Sequence, residues 1–547
     1  MSKAEDQRIL EEYTILLDRS QQLFSGLRDV PQFGQQWQPY FQRTFEVYTK
    51  LWKFQQVHRA VLEAIKTERF TFKRYDIGEI ASKIGQLYYH YYLRTSEPNY
   101  LNESCVFYDA IRTRRYFKDV LDPKNPAPMV KKLRYYARFI VVCLLLNNRK
   151  MVTTLVNELN QEVDLYLKTF NPSDTQEWQF VLQEIRQFLN ADNVITIENK
   201  DLPSRRLNSG PEQLSSRIKL QEVLLVGNCS NQVKFSELTL DMFRMMQAVE
   251  WEPSTPDLSS EGRKKGKRNP HKYLLYRPTM SQVLVFLANS FKELSDNNVM
   301  LLYISADGVS EPTVGNPEEP NIAESQNLCT KGGIALNSRR PLEKQEHSGV
   351  TPGCLYPEDL LTYTRKHLFM IIDSENSSAF DNLPSVFGKQ VVCLMSPKSQ
   401  PLGESATQIG NLFTLFLCDP LAAFCFIMNL VNISDETYSE LLSKQEELYN
   451  TLLQLIQSPG VDPAFGLLSQ EEFLQRFILN YIFCAASLFY HKKFQHAEGI
   501  YFPKIHPELP DELFHHRLLQ AAVYDMARII NRSSFLLGEL DIEEPSS

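Results

Sequence analysis

The sequence predicts a mixed architecture: an N-terminal antiparallel helical bundle or tetratricopeptide-like array, then an α/β domain with a mainly parallel sheet and C-terminal helices. Three observations predict it. Apolar residues recur at helical spacing from residue 4 to residue 192. Past a polar linker at 196–219 the pattern changes to short, nearly continuous apolar runs alternating with helical segments. After residue 434, long helical patterns return. The expected domains are therefore 1–195, 196–433 and 434–547.

In the first region Phe41, Phe45, Tyr48 and Trp52 step along one helical face, and Val47, Leu51, Phe54 and Val61 form a second. A helix apolar on two sides is sandwiched between neighbours. Helices are expected near 76–95, 100–120, 129–147, 149–170 and 175–192, with short polar or proline-bearing connections that favour antiparallel packing. No strict 34-residue repeat is visible. Leu133, Tyr136, Ala137, Ile140 and Leu144 give the 129–147 helix its buried stripe.

Strands are expected at Val223–Val226, Val299–Ile304, Leu368–Ile372 and Val391–Leu394, apolar throughout as parallel strands buried on both faces are. They imply a sheet of four or five strands, with helices from Leu238 and over Thr279–Leu294. Residues 311–354, rich in proline, serine, glutamate and asparagine, read as a disordered surface insertion. Leu412–Val431 reads as strand, turn and helix, because Asp419-Pro420 interrupts it. Ser434 or Asp435 caps a helix that Ser458-Pro459-Gly460 stops. Ser469 and Glu472 suit a capping box before the helix through Tyr490, and a last helix covers 511–531.

Composition narrows the function. The 547 residues suit two or three domains, and 43% hydrophobic with 23% charged residues is the profile of a soluble globular protein. Only 21 glycines, against a usual share of about 7%, weigh against glycine-rich phosphate loops. A net charge of −8 gives no overall attraction to nucleic acid, so such contact needs a local patch. Nine scattered cysteines with no C-x-x-C pair read as reduced thiols in an intracellular protein. No membrane span is expected: Leu412–Val431 carries a carboxylate costing roughly 3 kcal/mol in lipid, and Phe477–Tyr490 is short and contains Asn480.

The motifs favour binding over reaction. Tyr88, Tyr89, Tyr91 and Tyr92 crowd one helix, and aromatic side chains with polar tips suit a partner-gripping surface. Lys131, Arg134, Tyr135 and Arg138 share one face of the 129–147 helix, with Lys132 on its flank. Arg112, Arg114, Arg115 and Lys118 close the preceding helix; merged with the first set they would make a patch for single-stranded nucleic acid or an acidic peptide. Arg263, Lys264, Lys265, Lys267 and Arg268 form a dense basic loop that fits a nuclear-import signal or a solvated surface.

The alternative is an α/β enzyme or metal-dependent domain using Asp373-Ser374-Glu375-Asn376-Ser377. A carboxylate and hydroxyls past a strand could hold magnesium there, as in a D-x-S-x-S site. Glu375 breaks that pattern, and Asp373 and Ser374 capping a helix or turn is the preferred reading. With no G-x-G-x-x-G, no G-x-x-x-x-G-K-[ST], no G-x-S-x-G and no histidine pair at metal-binding spacing, neither a cofactor nor a catalytic residue nor a metal is expected.

Longer runs carry a resemblance. Ile77 to Ser96, Lys131 to Leu146, Gly227-Asn228-Cys229, Asn231 to Thr239, Asn269 to Tyr276 and Leu412 to Leu417 are together similar to the SCAI family, the suppressor of cancer cell invasion proteins. The resemblance covers nearly the whole chain. It implies a corepressor, in nucleus and cytoplasm, of transcription driven by a coactivator of the myocardin-related class with serum response factor, downstream of Rho. It also implies chromatin and repair proteins as partners, with single-stranded DNA as a proposed ligand. The chain lacks the basic N-terminal leader of longer relatives, so import is expected to rest on Arg263 to Arg268.

Overall fold

The computed structural model describes residues 3–34, 36–66, 71–118, 120–198, 200–208, 218–252, 267–309, 332–336, 353–381, 383–399, 401, 409–495 and 499–538. The chain forms two compact units, Met1–Gln183 and Glu184–Ser547.

The first unit is a helical array: α1 (Lys3–Gly26), α2 (Gln38–Val57), α3 (Arg59–Ala64), α4 (Arg74–Thr95), α5 (Pro98–Thr113), α6 (Ala127–Leu145) and α7 (Arg149–Phe170), with α8 (Thr175–Asp192) spanning the division. From α4 to α7, each helix packs antiparallel on the next. Tyr91 meets Tyr100 at 4.5 Å, and Ser104 Oγ donates to the Gly85 carbonyl at 2.7 Å. A methyl group added at Gly78 would lie 2.9 Å from Tyr116 Cβ. These contacts run down α4 as they run up the following segment. Small residues make the approach possible: a methyl at Gly85 would stand 3.1 Å from the Tyr108 ring.

The tyrosines of α4 divide: Tyr92 belongs to the core, while Tyr88, Tyr89 and Tyr91 are half-buried. Tyr92 is 1% exposed. Tyr91 packs on Trp37, Phe41 and Phe45 at 5.5–5.6 Å, and Tyr88 on Phe45 at 4.8 Å and Phe107 at 5.8 Å. Aromatic rings in offset and edge-on pairs fill the space between α2, α4 and α5.

The second unit is built on six strands: β1 (Leu220–Asn228), β2 (His271–Tyr276), β3 (Val299–Ala306), β4 (His367–Asp373), β5 (Val391–Met395) and β6 (Lys504–His506). Their order is β6-β5-β4-β3-β1-β2, parallel except for β6 against β5. The four expected strands are present, one to three residues longer at one end or both. Sequence reading missed β2, whose Lys272 breaks the apolar pattern, and β6, which is only three residues long. Strand order reverses between β1 and β3, with α9 (Leu240–Ala248) and α10 (Met280–Glu293) among the connecting helices. Every residue of β3 and β4 is buried.

A buried ion group ties β2 down. Glu250 accepts Arg206 at 2.9 Å and Lys272 at 3.2 Å, all three side chains at most 2% exposed. Thr196–Ile197 pairs with Asn432–Ile433 in a separate two-stranded sheet.

Two further expectations change. Leu412–Val431 is two helices, α11 (Leu412–Cys418) and α12 (Pro420–Ile427), because Asp419 ends one and caps the next while Pro420 takes its first position. Within 311–354, Gly333–Ala335 and Cys354–Leu355 are strands of a three-stranded sheet with Gly308–Val309; residues 311–331 and 337–352 lie outside the described residues.

The C-terminal helices are α13 (Asp435–Leu455), α14 (Pro463–Leu468), α15 (Glu472–Tyr490), α16 (Asp511–Phe514) and α17 (Arg517–Ile529). Ser434 caps α13 as expected. Glu471, not Ser469, caps α15: its carboxylate accepts the Phe473 and Leu474 amides at 2.9 and 3.0 Å, and Ser469 bonds back to the Phe465 carbonyl. α15 is the one described helix long and apolar enough to cross a membrane, and its apolar window is 78% buried within the protein.

Candidate functional site

Three helices of the first unit, α1, α4 and α6, decide where its positive charge gathers. On α4, Lys83, His90 and Arg94 step i, i+7 and i+11, so they share a side. Lys83 lies over the Phe24 ring of α1 at 4.4 Å, and the His90 ring meets the same Phe24 at 5.9 Å. Arg94 donates to the Pro31 carbonyl at 2.6 Å. Arg138 of α6 acts on both Lys83 and His90, with Arg28 from the segment after α1 adding its charge.

The electrostatics follow. Burial first, then the Arg138 charge, lowers the Lys83 ammonium below its ordinary value, with Glu79 opposing. Burial and the same cations push His90 down to about 4, so its imidazole is neutral at physiological pH. An anion placed against Arg28, Lys83 and Arg138 would relieve this mutual repulsion.

The residues singled out by sequence divide. Arg138 belongs to this cluster. Arg134 is exposed on α6. Lys131 pairs with Glu79 at 2.6 Å and Lys132 with Glu162 at 2.6 Å. Tyr135 is 2% exposed and donates its hydroxyl to the Tyr108 carbonyl at 3.0 Å. Its place on an exposed face is thus corrected: α5 packs over that side of α6.

Arg112 is held by both oxygens of Glu158, which also accepts the Tyr136 hydroxyl. Arg114 donates to the Tyr116 hydroxyl at 3.2 Å, and Arg115 is exposed at a left-handed backbone position. The merged α5–α6 patch expected from sequence does not gather these cations; α1, α4 and α6 supply the cluster instead. The spacing of Lys83, His90 and Arg94 was the available signal, overshadowed by the tyrosines between them.

Of the basic loop, residues 263–265 lie outside the described residues. Lys267 is ion-paired to Glu472 and stands 4.3 Å over the Trp251 ring. With Arg268, Trp251, His271, Glu471 and Phe473 it lines a cavity of about 610 Å³ beside the N-terminal ends of β1 and β2.

The Asp373 motif lies at the opposite, carboxyl end of the sheet. A cavity of about 370 Å³ there, lined by Cys229, Ser305, Asp307, Asp373, Ser396 and Asn411, occupies the strand-order reversal where open α/β sheets bind ligands. Two of the three positions of the would-be ligand motif are otherwise engaged, and the third faces solvent. Asp373 accepts the Asn411 carboxamide on one oxygen and the Thr414 hydroxyl on the other. Glu375 is exposed, and Ser377 Oγ donates to the Ser396 carbonyl at 2.7 Å.

Asp373 is not itself the cap; it holds Asn411, which caps α11. Burial, then the Asp241 charge, pushes its carboxyl up to about 8. Asp241, itself pushed up to about 6 by burial, accepts the Asn411 amide at 3.1 and 3.2 Å. Among the described residues no three histidine, cysteine, aspartate or glutamate side chains are grouped to hold a metal ion.

A family model described as Protein SCAI matches residues 15–494. Among curated relatives, the chain is 44% identical over 564 aligned positions to Protein SCAI of Mus musculus and, equally, of Homo sapiens, covering 98% of this chain and 91% of each relative. It is 37% identical to the Protein SCAI homolog of Dictyostelium discoideum, covering 97% of this chain and 91% of that one. Among solved structures, Raptor of Chaetomium thermophilum aligns over 66% of this chain and 33% of its own, at 12% identity and a TM-score of 0.34, a likeness too distant to bear on function.

Proposed function

Because the chain belongs to the SCAI family, we propose that it is a non-enzymatic regulatory cofactor, a corepressor of transcription driven by myocardin-related coactivators with serum response factor, downstream of Rho. It also serves chromatin-linked DNA repair, and works in both nucleus and cytoplasm. The observation that carries this reading is the relationship itself, which extends over 98% of the chain and 91% of each mammalian relative. The cluster of Arg28, Lys83 and Arg138 supports it as a docking point for an acidic segment of a protein partner.

The test is a serum-response reporter in cells depleted of their own copy. Wild-type protein should lower the reporter, and a variant carrying Arg134→Glu and Arg138→Glu should not, while its melting temperature stays close to wild type. Failure of the wild type to repress would overturn the corepressor reading. Full repression by the variant would overturn the docking surface. If the variant instead loses single-stranded DNA binding and flattens its salt dependence, the cluster serves nucleic acid. For import, alanine at Arg263, Lys264, Lys265 and Arg268 should shift the protein towards the cytoplasm; Lys267 is left intact because it is bonded to Glu472.

A further inference from the structure

Two thiols of the first unit face each other across the α5–α6 contact. The register is set by Tyr108 of α5, whose carbonyl accepts the Tyr135 hydroxyl at 3.0 Å and whose ring lies 5.7 Å from that of Phe139 on α6. The helices are antiparallel. Stepping back three residues from Tyr108 therefore reaches Cys105, and stepping forward four from Phe139 reaches Cys143, one turn along the same seam in each helix. Each thiol is the neighbour that most shifts the other's pKa, Cys105 down and Cys143 up. Cys105 is partly open to solvent, whereas Cys143 is 0% exposed.

We propose that Cys105 and Cys143 form a peroxide-responsive dithiol, with Cys105 the attacking thiol and Cys143 the resolving one, and that oxidation staples α5 to α6. The inference is independent of the corepressor reading.

The neighbouring Cys143 thiol lowers the Cys105 pKa below the ordinary thiol value, against burial and the nearby Asp109 charge. The Cys105 thiolate attacks a hydroperoxide oxygen. An S–O bond forms, the O–O bond breaks and the alcohol or water leaves with a proton, taking Cys105 to the sulfenic acid. The Cys143 sulfur then attacks the sulfenic sulfur. Its thiol proton leaves with the departing hydroxide as water, the S–O bond breaks and the S–S bond forms. Cys143 is held protonated first by its neighbour Cys105 and then by burial. Oxidation of Cys105 removes the first restraint, which times the second step after the first.

The other described cysteines are poorer candidates. Cys354, Cys393, Cys418, Cys425 and Cys484 are buried, and the Cys229 thiol is pushed up by burial beside Ser305. Cys329 lies outside the described residues.

The experiment treats reduced full-length protein with stoichiometric hydrogen peroxide near neutral pH, then alkylates, digests without reductant and weighs the peptides. A Cys105–Cys143 linked peptide, lighter by two hydrogens and lost on reduction, is expected. Cys143→Ala should leave Cys105 as a sulfenic acid trapped by dimedone and should slow its alkylation before oxidation. Cys105→Ser should leave Cys143 unmodified until the protein is unfolded. Cys105 reaching the sulfinic acid in wild-type protein while Cys143 stays a thiol would overturn the proposal, as would linkage of Cys105 to a different cysteine. The wild-type measurement decides alone if either variant misfolds.

Discussion

At Asp373 a carboxyl group is surrounded by protein on every side and faces Asp241, Asn411, Thr414 and Ser396, with Cys229, Tyr303 and Cys484 also sensing its charge. The folded protein holds the proton of Asp373 up to about pH 8, whereas the unfolded chain releases it near the ordinary value of 3.8. Between those values the folded state binds more protons, so stability falls as pH rises, at a slope of up to about 1.4 kcal/mol per unit, and levels above pH 8. Asp373→Asn keeps an acceptor for Asn411 and offers a donor to Thr414. The variant should match wild type at pH 4.5, exceed it at pH 8 and show a flatter curve in urea titrations. An equal loss at both pH values would mean the residue matters through shape rather than charge. Arg244 is the other uncommon residue: fully buried, it donates to the Ile409 and Ala191 carbonyls at 2.6 and 2.8 Å and lies 3.6 Å from Asp241.

Among the elements, α4 shows both how far sequence carries and where it stops. Its span was legible from apolar spacing, and so was the stripe of α6, where Leu133, Ile140 and Leu144 are buried. The roles of its residues were not, because tyrosine suits both a wet interface and an aromatic core and only the neighbouring helices decide between them. Phe45 of α2 and Phe107 and Tyr100 of α5 lie on other helices, and they claim Tyr88 and Tyr91. The candidate site was legible in Arg138 but not in Lys83 or Arg28, whose meeting depends on how α1 and α6 cross α4. Gly78 and Gly85, seven residues apart on one face of α4, instead admit α5 and the segment after it. Gly78→Ala must displace Tyr116 at its Cβ, and Gly85→Ala crowds the buried Tyr108 ring, so each should destabilise the first unit by roughly 1–3 kcal/mol. Gly26→Ala, which meets nothing within 4 Å, should be neutral in the same thermal melts.

For the whole molecule, each unit has its own core and its own logic. The helical unit relies on aromatic pairs between antiparallel neighbours. The second relies on β1, β3 and β4, whose central residues Leu224, Leu302 and Ile371 are 0% exposed. Amides of these strands should be the slowest of that unit to exchange with deuterium. Leu302→Ala and Ile371→Ala should each cost about 2–5 kcal/mol in urea unfolding, since little around them can collapse into the space. Fast exchange in β3 would place the stabilising core elsewhere.

The ion group at Glu250 bears on the open side of that sheet. Among the described residues β2 ends the strand order, and an edge strand's outer backbone groups are a template for a passing strand. A slip of one residue would turn every β2 side chain to the other face. Lys272 would swing away and Tyr273 would take its place against Glu250, leaving a carboxylate in a dry interior short of a positive charge. That penalty attaches to misaligned pairings and spares the native one. Glu250 therefore works as an alignment latch, one that discourages strand exchange between copies and gives a newly made chain a single comfortable way to close its sheet.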